Sequence, residues 1–297
     1  MNDETGLLID KRDVRTSFDR AAADYDRVAV LQREVGARLL ERLALLRMAP
    51  QRILDLGTGT GHIAHALLKR YSGARVVGLD IAEGMLAQAR RRSGWWRRPR
   101  FVCGDIERLP FASHSADMIL SNLTLQWCNG LDAAFAEFRR VLRPGGTLLF
   151  TSFGPDTLRE LRASWAAADS YTHVNSFLDM HDVGDALVRA GLIEPVLDTE
   201  RFTLTYPDLQ GLVRDLKTLG AHNVTAGRAR GLTGRGRWQR VREAYEAQRT
   251  DGALPATYEI VYGHAWAPES GQVSRRREVS GEVGIPLADI GRQGKGR

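Results

Sequence analysis
Apolar residues between positions 14 and 48 recur at helical spacing, at Val28, Leu31, Val35, Leu39, Leu43 and Leu46. Pro50 closes that stretch. The period then changes. Short apolar runs at 52–56 (RILDL), 75–79 (RVVGL), 101–103, 117–121 (DMILS) and 147–152 (TLLFTS) read as strands. Residues 60–71, 82–92 and 131–142 between them read as helices, and Arg143-Pro144-Gly145-Gly146 reads as a turn. Strands alternating with helices predict a parallel sheet with helices on both faces.

After residue 153 the pattern shifts again. Residues 155–168 and 180–190 read as helices, and 196–205 alternates as a strand. Residues 207–250 are helical around a glycine-rich break at 227–236, and 257–266 reads as the last strand. Strand, helical insertion and returning strand predict an antiparallel pair that carries a cap. EVGIPL at 282–287 is a candidate edge strand. The organisation expected is a helical lid over 1–49, a ligand-binding core over 50–153, its continuation with the cap over 154–267, and a mobile tail over 268–297 rich in Gly, Ser and Arg.

Composition narrows the function classes. No run of eighteen apolar residues occurs, and the charged N-terminus lacks an apolar signal core, so a cytosolic protein is expected. Cys103 and Cys128 have neither disulfide nor metal-ligand spacing, and no metal is expected. The net charge of +6 is almost wholly arginine, since Lys stands only at 11, 69, 217 and 295. A basic surface attracts nucleic acid, anionic lipid or acidic proteins alike.

The chemistry-bearing motif is Gly57-Thr58-Gly59-Thr60-Gly61, between the first strand and its helix. Glycines there let the backbone approach a ligand and take positive φ. Dinucleotide binding uses G-x-G-x-x-G, whereas this loop is G-x-G-x-G followed by His62. Asp55 lies inside the strand. Asp80 ends the second strand, where a carboxylate accepts from ribose hydroxyls in either kind of protein. Asp105 follows the third strand, placed to accept from an adenine amino group with Ile106 beside the base. Asn122 follows the fourth strand. Polar residues at successive strand ends face one crevice.

The set ILDLGTGTG, VVGLD, CGDIERLPF, DMILSN and VLRPGGTLLF resembles the class I S-adenosylmethionine-dependent methyltransferases over residues 50–152. The resemblance implies a Rossmann-like α/β fold: a mostly parallel seven-stranded sheet, helices on both faces and an antiparallel last strand. It implies cofactor contacts at Asp55, Gly57, Thr58, Gly59, Gly61, Asp80, Ile81, Met85, Asp105, Ile106, Asn122 and Leu123, with Gln32 reaching the cofactor's amino-acid end. Many members have Cys or Ala at the place of Thr58, a departure expected to be harmless in a backbone-lined loop.

The flanks are more distinctive. SFDRAAADYDRVAVLQ (17–32), SNLTLQWCNGL (121–131), FTSFGPDTLRELRASW (150–165), HVNSFLDMHDVGDALVRAGLIEPVLDTE (173–200), LVRDLKTLGAHNV (212–224) and GLTGRGRW (231–238) together resemble the biotin-pathway malonyl-acyl-carrier-protein O-methyltransferases. That resemblance implies methylation of the free carboxylate of a malonyl thioester borne on acyl carrier protein. Such a carboxylate is ionised at neutral pH, so no general base is required. Tyr25 resembles the family's N-terminal tyrosine near the active centre. Arg159, Arg162 and Arg214 are candidate partners of the substrate carboxylate, Trp127 a wall of its pocket, and Asn223 a helix cap or tunnel residue. His173 and His181 are expected to cap or pack loops.

An acidic carrier calls for a basic docking face. Arg228, Arg230, Arg235, Arg237 and Arg240 on the cap are favoured over Arg90, Arg91, Arg92, Arg97, Arg98 and Arg100, which surround Trp95 and Trp96. A methyltransferase for a free quinone precursor or dicarboxylate is the alternative. A non-catalytic RNA-associated protein is a third reading. It is disfavoured because neither an RNA-binding module nor an Asn-Pro-Pro-Tyr type motif is present.

Overall fold
The computed structural model describes residues 9–94, 97–169, 171, 173–175, 177–220 and 234–269. Trp95, Trp96, His222, Asn223, Arg228, Arg230, the EVGIPL segment and the tail from residue 270 lie outside them.

The buried apolar runs form strands β1 (Arg52–Leu56), β2 (Arg75–Asp80), β3 (Arg100–Cys103), β4 (Ala116–Asn122), β5 (Leu142–Phe153), β6 (Ile193–Tyr206) and β7 (Leu254–Trp266). They make one seven-stranded sheet in the order β3-β2-β1-β4-β5-β7-β6. The first five strands pair in parallel, and β7 is antiparallel to both neighbours. Strands β1 and β4 are buried almost end to end, because helices cover both faces of the sheet. β6 alternates between half-buried and exposed positions, as an edge strand with one covered face does.

One face carries α3 (Val30–Arg42) and α4 (His62–Arg70), whose Leu31, Val35, Leu39, Ile63 and Leu67 share a core with Ile53 and Leu120. The other carries α6 (Leu131–Val141) and α8 (Met180–Arg189), where Phe135 and Phe138 pack with Phe150 and Leu187. Helix α5 (Glu83–Arg92) follows β2 and α7 (Arg159–Ala166) follows β5. Between β6 and β7 the chain forms α9 (Leu209–Thr218) and α10 (Arg235–Glu246), within the expected cap insertion.

Two segments differ from the periodicity reading. The stretch 14–48 is several short pieces: α1 (Lys11–Ala21), α2 (Tyr25–Val28), α3 and a 3-10 turn at Leu43–Leu45. The breaks let each piece rest on a different neighbour: α1 on α5, α2 on α9, α3 on α4. The second is Arg143-Pro144-Gly145-Gly146, which lies inside β5 as a bulge. The register passes from Ala116↔Leu142 to Met118↔Thr147. The Arg143 guanidinium there meets the buried carboxylate of Asp117 at 2.8 Å, which offsets its desolvation.

The β5–β7 pairing sets Phe150 opposite Gly263. A Cβ on Gly263 falls 2.1 Å from the fully buried Phe150 ring. Gly263→Ala is therefore expected to lower stability by about 1–3 kcal/mol through overpacking. Urea unfolding should show this as a lower midpoint at unchanged slope.

Candidate functional site
Strand order reverses between β1 and β4, and the loops leaving both strands open one crevice at their carboxyl ends. The β1 loop is hooked onto β2: Gly57 N and Thr58 N both donate to Leu79 O, at 2.7 and 2.9 Å. Gly57 and Gly59 take φ of +73° and +54°. A Cβ on Gly57 lands 2.0 Å from Thr124 Oγ1, whereas one on Gly59 meets nothing within 4 Å. Gly59 thus presents bare backbone to open space. Gly61, at φ +82°, turns the chain into α4 and does not line the crevice.

Asp80 closes the loop from the other side. Its carboxylate accepts from Gly59 N at 2.8 Å and Ala82 N at 2.9 Å. Burial pushes this carboxyl up to about 6, against the pull of those two N–H donors. Asp55 lies deeper, and burial pushes it up to about 7. Thr58 Oγ1 donates to Asp55 Oδ2 at 2.6 Å. The Thr58 side chain thus satisfies a buried carboxylate, a role that the sequence did not show.

Asn122 spends both ends of its amide on the scaffold. Its Nδ2 donates to Gln32 O at 3.0 Å, and its Oδ1 accepts from Thr151 Oγ1 at 2.8 Å. Leu123 follows at φ +50°, in a strained backbone held by a 2.9 Å bond from its N–H to Thr151 Oγ1. Asp105 accepts from Lys11 Nζ at 3.1 Å and from Glu107 N at 3.0 Å, so α1 already partners the carboxylate assigned to the adenine amino group.

These residues enclose two adjoining cavities. One, about 80 Å³, is lined by Tyr25, Gly57, Gly59, Asp80, Ile81, Met85, Asp105, Ile106, Asn122 and Leu123. The other, about 260 Å³, is lined by Tyr25, Gln32, Asp55, Gly57, Thr58, Gly59 and Asn122. A third cavity, about 520 Å³ and largely apolar, meets the first at Phe18, Tyr25, Leu123 and Trp127. It extends under α7, α9 and α10, past Leu158, Leu161, Trp165, Leu216 and Trp238. Phe18 and Trp127 stand edge to face, 5.3 Å apart, between the two spaces.

The N-terminal segment roofs the first cavity and is fastened by polar latches. Lys11 pairs with Asp105 and Glu107, and Asp19 Oδ1 accepts from Gly84 N at 2.7 Å. Asp26 accepts from Thr60 Oγ1 at 2.6 Å, lies 3.3 Å from His62 Nε2 and pairs with Arg92. Sequence reasoning missed Lys11, Phe18, Thr124 and the Asp26 latch. Only SFDRAAADYDRV, quoted there as a flank, carried a signal for Phe18 and Asp26.

The candidate carboxylate arginines lie elsewhere. Arg162 donates to Pro155 O and Thr157 O, both at 2.9 Å, and so braces a loop. Arg159 stands beside Glu160 at 3.3 Å, and Arg214 is exposed. None of the three lines the large cavity. Arg237 is held by Asp169 at 3.2 Å, and Arg92 by Asp26, so neither guanidinium is a free docking charge. Arg235 and Arg240 are exposed on α10. His173 lines the large cavity, stacked 3.6 Å from Trp165 and 2.8 Å from Asp169, while the His181 side chain faces solvent.

The crevice fits S-adenosylmethionine. Bare backbone at Gly59 and the Asp80 carboxylate suit the ribose side, an apolar slot at Ile81, Met85 and Ile106 suits a base, and Gln32 Oε1 is buried without a partner at the other end. Fold and site together define a class I S-adenosylmethionine-dependent methyltransferase. Residues 54–150 match the methyltransferase-domain family. The malonyl-(acyl-carrier protein) O-methyltransferase of Laribacter hongkongensis is 57% identical over 87% of this chain and 90% of its own length. The protein of the same name from Halorhodospira halophila is 48% identical over 99% of both chains. The chain belongs to the malonyl-(acyl-carrier protein) O-methyltransferase family. Among solved structures, the YcgJ protein of Bacillus subtilis superposes with a TM-score of 0.55 at 18% identity, over 78% of this chain and 99% of its own. The cyclase SpnF does so at 0.50 and 22%, over 80% of each chain, so the fold by itself does not fix the reaction.

Two outcomes follow from the geometry. The protonated form of Asp80 loses acceptor capacity, so affinity for S-adenosylhomocysteine should fall as pH drops through about 6. Calorimetric titration across pH 5–8 checks this. Asp80→Asn should bind weakly with a flattened profile, in which the neighbouring Asp55 still titrates. Asp26→Ala releases Thr60, His62 and Arg92 together, and should speed S-adenosylhomocysteine dissociation roughly tenfold in stopped-flow displacement, the scale of one charge-assisted hydrogen bond.

Proposed function
We propose that this protein transfers a methyl group from S-adenosylmethionine to the free carboxylate of a malonyl thioester carried on acyl carrier protein, in the cytosol, for biotin synthesis. The observation that carries the reading is the large apolar cavity opening onto the cofactor crevice at Tyr25, Phe18 and Trp127, in a chain closely similar to enzymes of that name.

S-adenosylmethionine supplies an electrophilic methyl group when bound. The protein's part is to bring an ionised carboxylate to the junction and keep water away. Among the described residues, no arginine lines the large cavity, and its lysine, Lys217, stands on α9 with Asp215, away from the junction lined by Phe18, Tyr25, Leu123 and Trp127. A full ion pair would blunt the nucleophile, whereas a neutral donor orients it. Burial, together with the charges of Asp80 and Asp26, raises the Tyr25 phenol well above its ordinary value, so it stays protonated and donates. Phe18 and Trp127 narrow the junction, and water exclusion removes the carboxylate's hydration shell. Alignment of this kind is worth roughly 7–11 kcal/mol. The N-terminal segment acts as the lid, and the exposed Arg235 and Arg240, next to the cavity-lining Trp238, receive the acidic carrier.

Methyl transfer should be efficient with malonyl-carrier protein, weaker with malonyl-CoA and negligible with free malonate. Turnover of malonate alone would replace this reading with a small-molecule methyltransferase. Tyr25→Phe should lower kcat about tenfold or more while S-adenosylhomocysteine affinity changes little. The double variant Arg235→Glu/Arg240→Glu should raise KM for the carrier roughly tenfold and leave malonyl-CoA unchanged. Equal effects on both substrates would refute the docking face.

A further inference from the structure
Six side-chain oxygens among the described residues are buried without a hydrogen-bond partner. Three lie away from the large cavity: Asp117 Oδ1, with the Arg143 guanidinium at 2.8 Å, Asp169 Oδ2, with that of Arg237 at 3.2 Å, and Tyr262 Oη. The remaining three are the amide oxygens of Gln32, Gln126 and Asn175, and all three residues line the large cavity.

Such a concentration is unlike folding residue, because an unsatisfied buried acceptor is costly and natural interiors avoid it. Gln32 borders the cofactor crevice as well, where a cationic amino-acid end accounts for its oxygen. Gln126 and Asn175 line only the large cavity among the three spaces of the site. Gln126 Nε2 donates to Leu123 O at 2.6 Å, so the end of the amide left over is an acceptor. Terminal amide torsions are soft, and a small rotation turns either oxygen toward the cavity.

Most of the wall is apolar, as at Leu158, Leu161, Val174 and Phe177, with Asp215 and Lys217 also among its lining residues. A hydrocarbon ligand has no use for two acceptors in such a wall. The arm of a carrier-bound or coenzyme-bound thioester does. It runs from sulfur through two methylenes to an amide N–H, then through more apolar chain to a second amide. We propose that Gln126 and Asn175 are specificity residues that accept from the amide N–H groups of this thioester arm. They thereby select arm-borne acyl groups over free acids and plain alkyl thioesters. The inference rests on the thioester reading above.

The test compares two ligands on the full-length protein saturated with S-adenosylhomocysteine. One is malonyl-N-acetylcysteamine, which carries the first arm amide. The other is its isostere with the amide N–H replaced by CH₂. Calorimetry should show the wild-type protein binding the amide about tenfold more tightly, the scale of one hydrogen bond. Gln126→Leu or Asn175→Leu should erase most of that preference, and Asn175→Asp, which keeps an acceptor, should retain it if Asn175 is the partner. Equal binding of both ligands by the wild type overturns the proposal and needs no variant. So does a preference that survives in the double leucine variant with S-adenosylhomocysteine affinity intact. Methyl transfer is read separately. An amide preference in binding without methylation of either thioester upholds the amide contacts and sinks the proposed reaction instead.

Discussion
The carboxylate of Asp80 is the joint on which the site depends. It accepts from Gly59 N on one side and Ala82 N on the other, and the β1 loop is meanwhile hooked by two N–H groups onto Leu79 O. Loop, strand end and the start of α5 are thereby fixed relative to one another in a buried setting, where each such bond resists exchange with water. The cost is a carboxylate held out of solvent, visible in its raised titration range. A cofactor hydroxyl that donates to it recovers part of that cost. A site of this kind is prepared for its ligand rather than formed by it.

A second constraint comes from the N-terminal segment. It contributes Phe18 and Tyr25 to both the cofactor crevice and the large apolar cavity, so one piece of chain bounds both spaces. Its fastenings at Lys11, Asp19 and Asp26 are polar and partly exposed. Bonds of this type release more readily than a packed apolar face does. The crevice thus has the sheet below it and polar latches above it.

The resemblance in sequence reached far because β1, β2, β4 and their loops are local signals. A five-residue apolar run followed by glycines at positions 57, 59 and 61 leaves the backbone few alternatives. Thr58 shows where local reading stopped. In sequence it is a harmless departure in a backbone-lined loop, and only in space does it meet the buried carboxylate three residues earlier. Arg237 shows the same for charge: in sequence it is one of a basic cluster, and in space Asp169 neutralises it.

The sequence alone determined the alternation of strands and helices, the glycine loop with its acidic partners, and through its flanks the family. These are patterns of period and spacing within one strand–loop–helix unit, where backbone geometry acts over a few residues. Tertiary structure alone decided which side chains meet across the chain: Asp26 with Arg92, Lys11 with Asp105, Phe18 with Trp127. It also decided that the candidate arginines stay off the lining of the large cavity while Gln126 and Asn175 are part of it. Surface charges and single polar residues carry no period. Their partners are set by how the lid and cap pack over the sheet, and that packing is long-range.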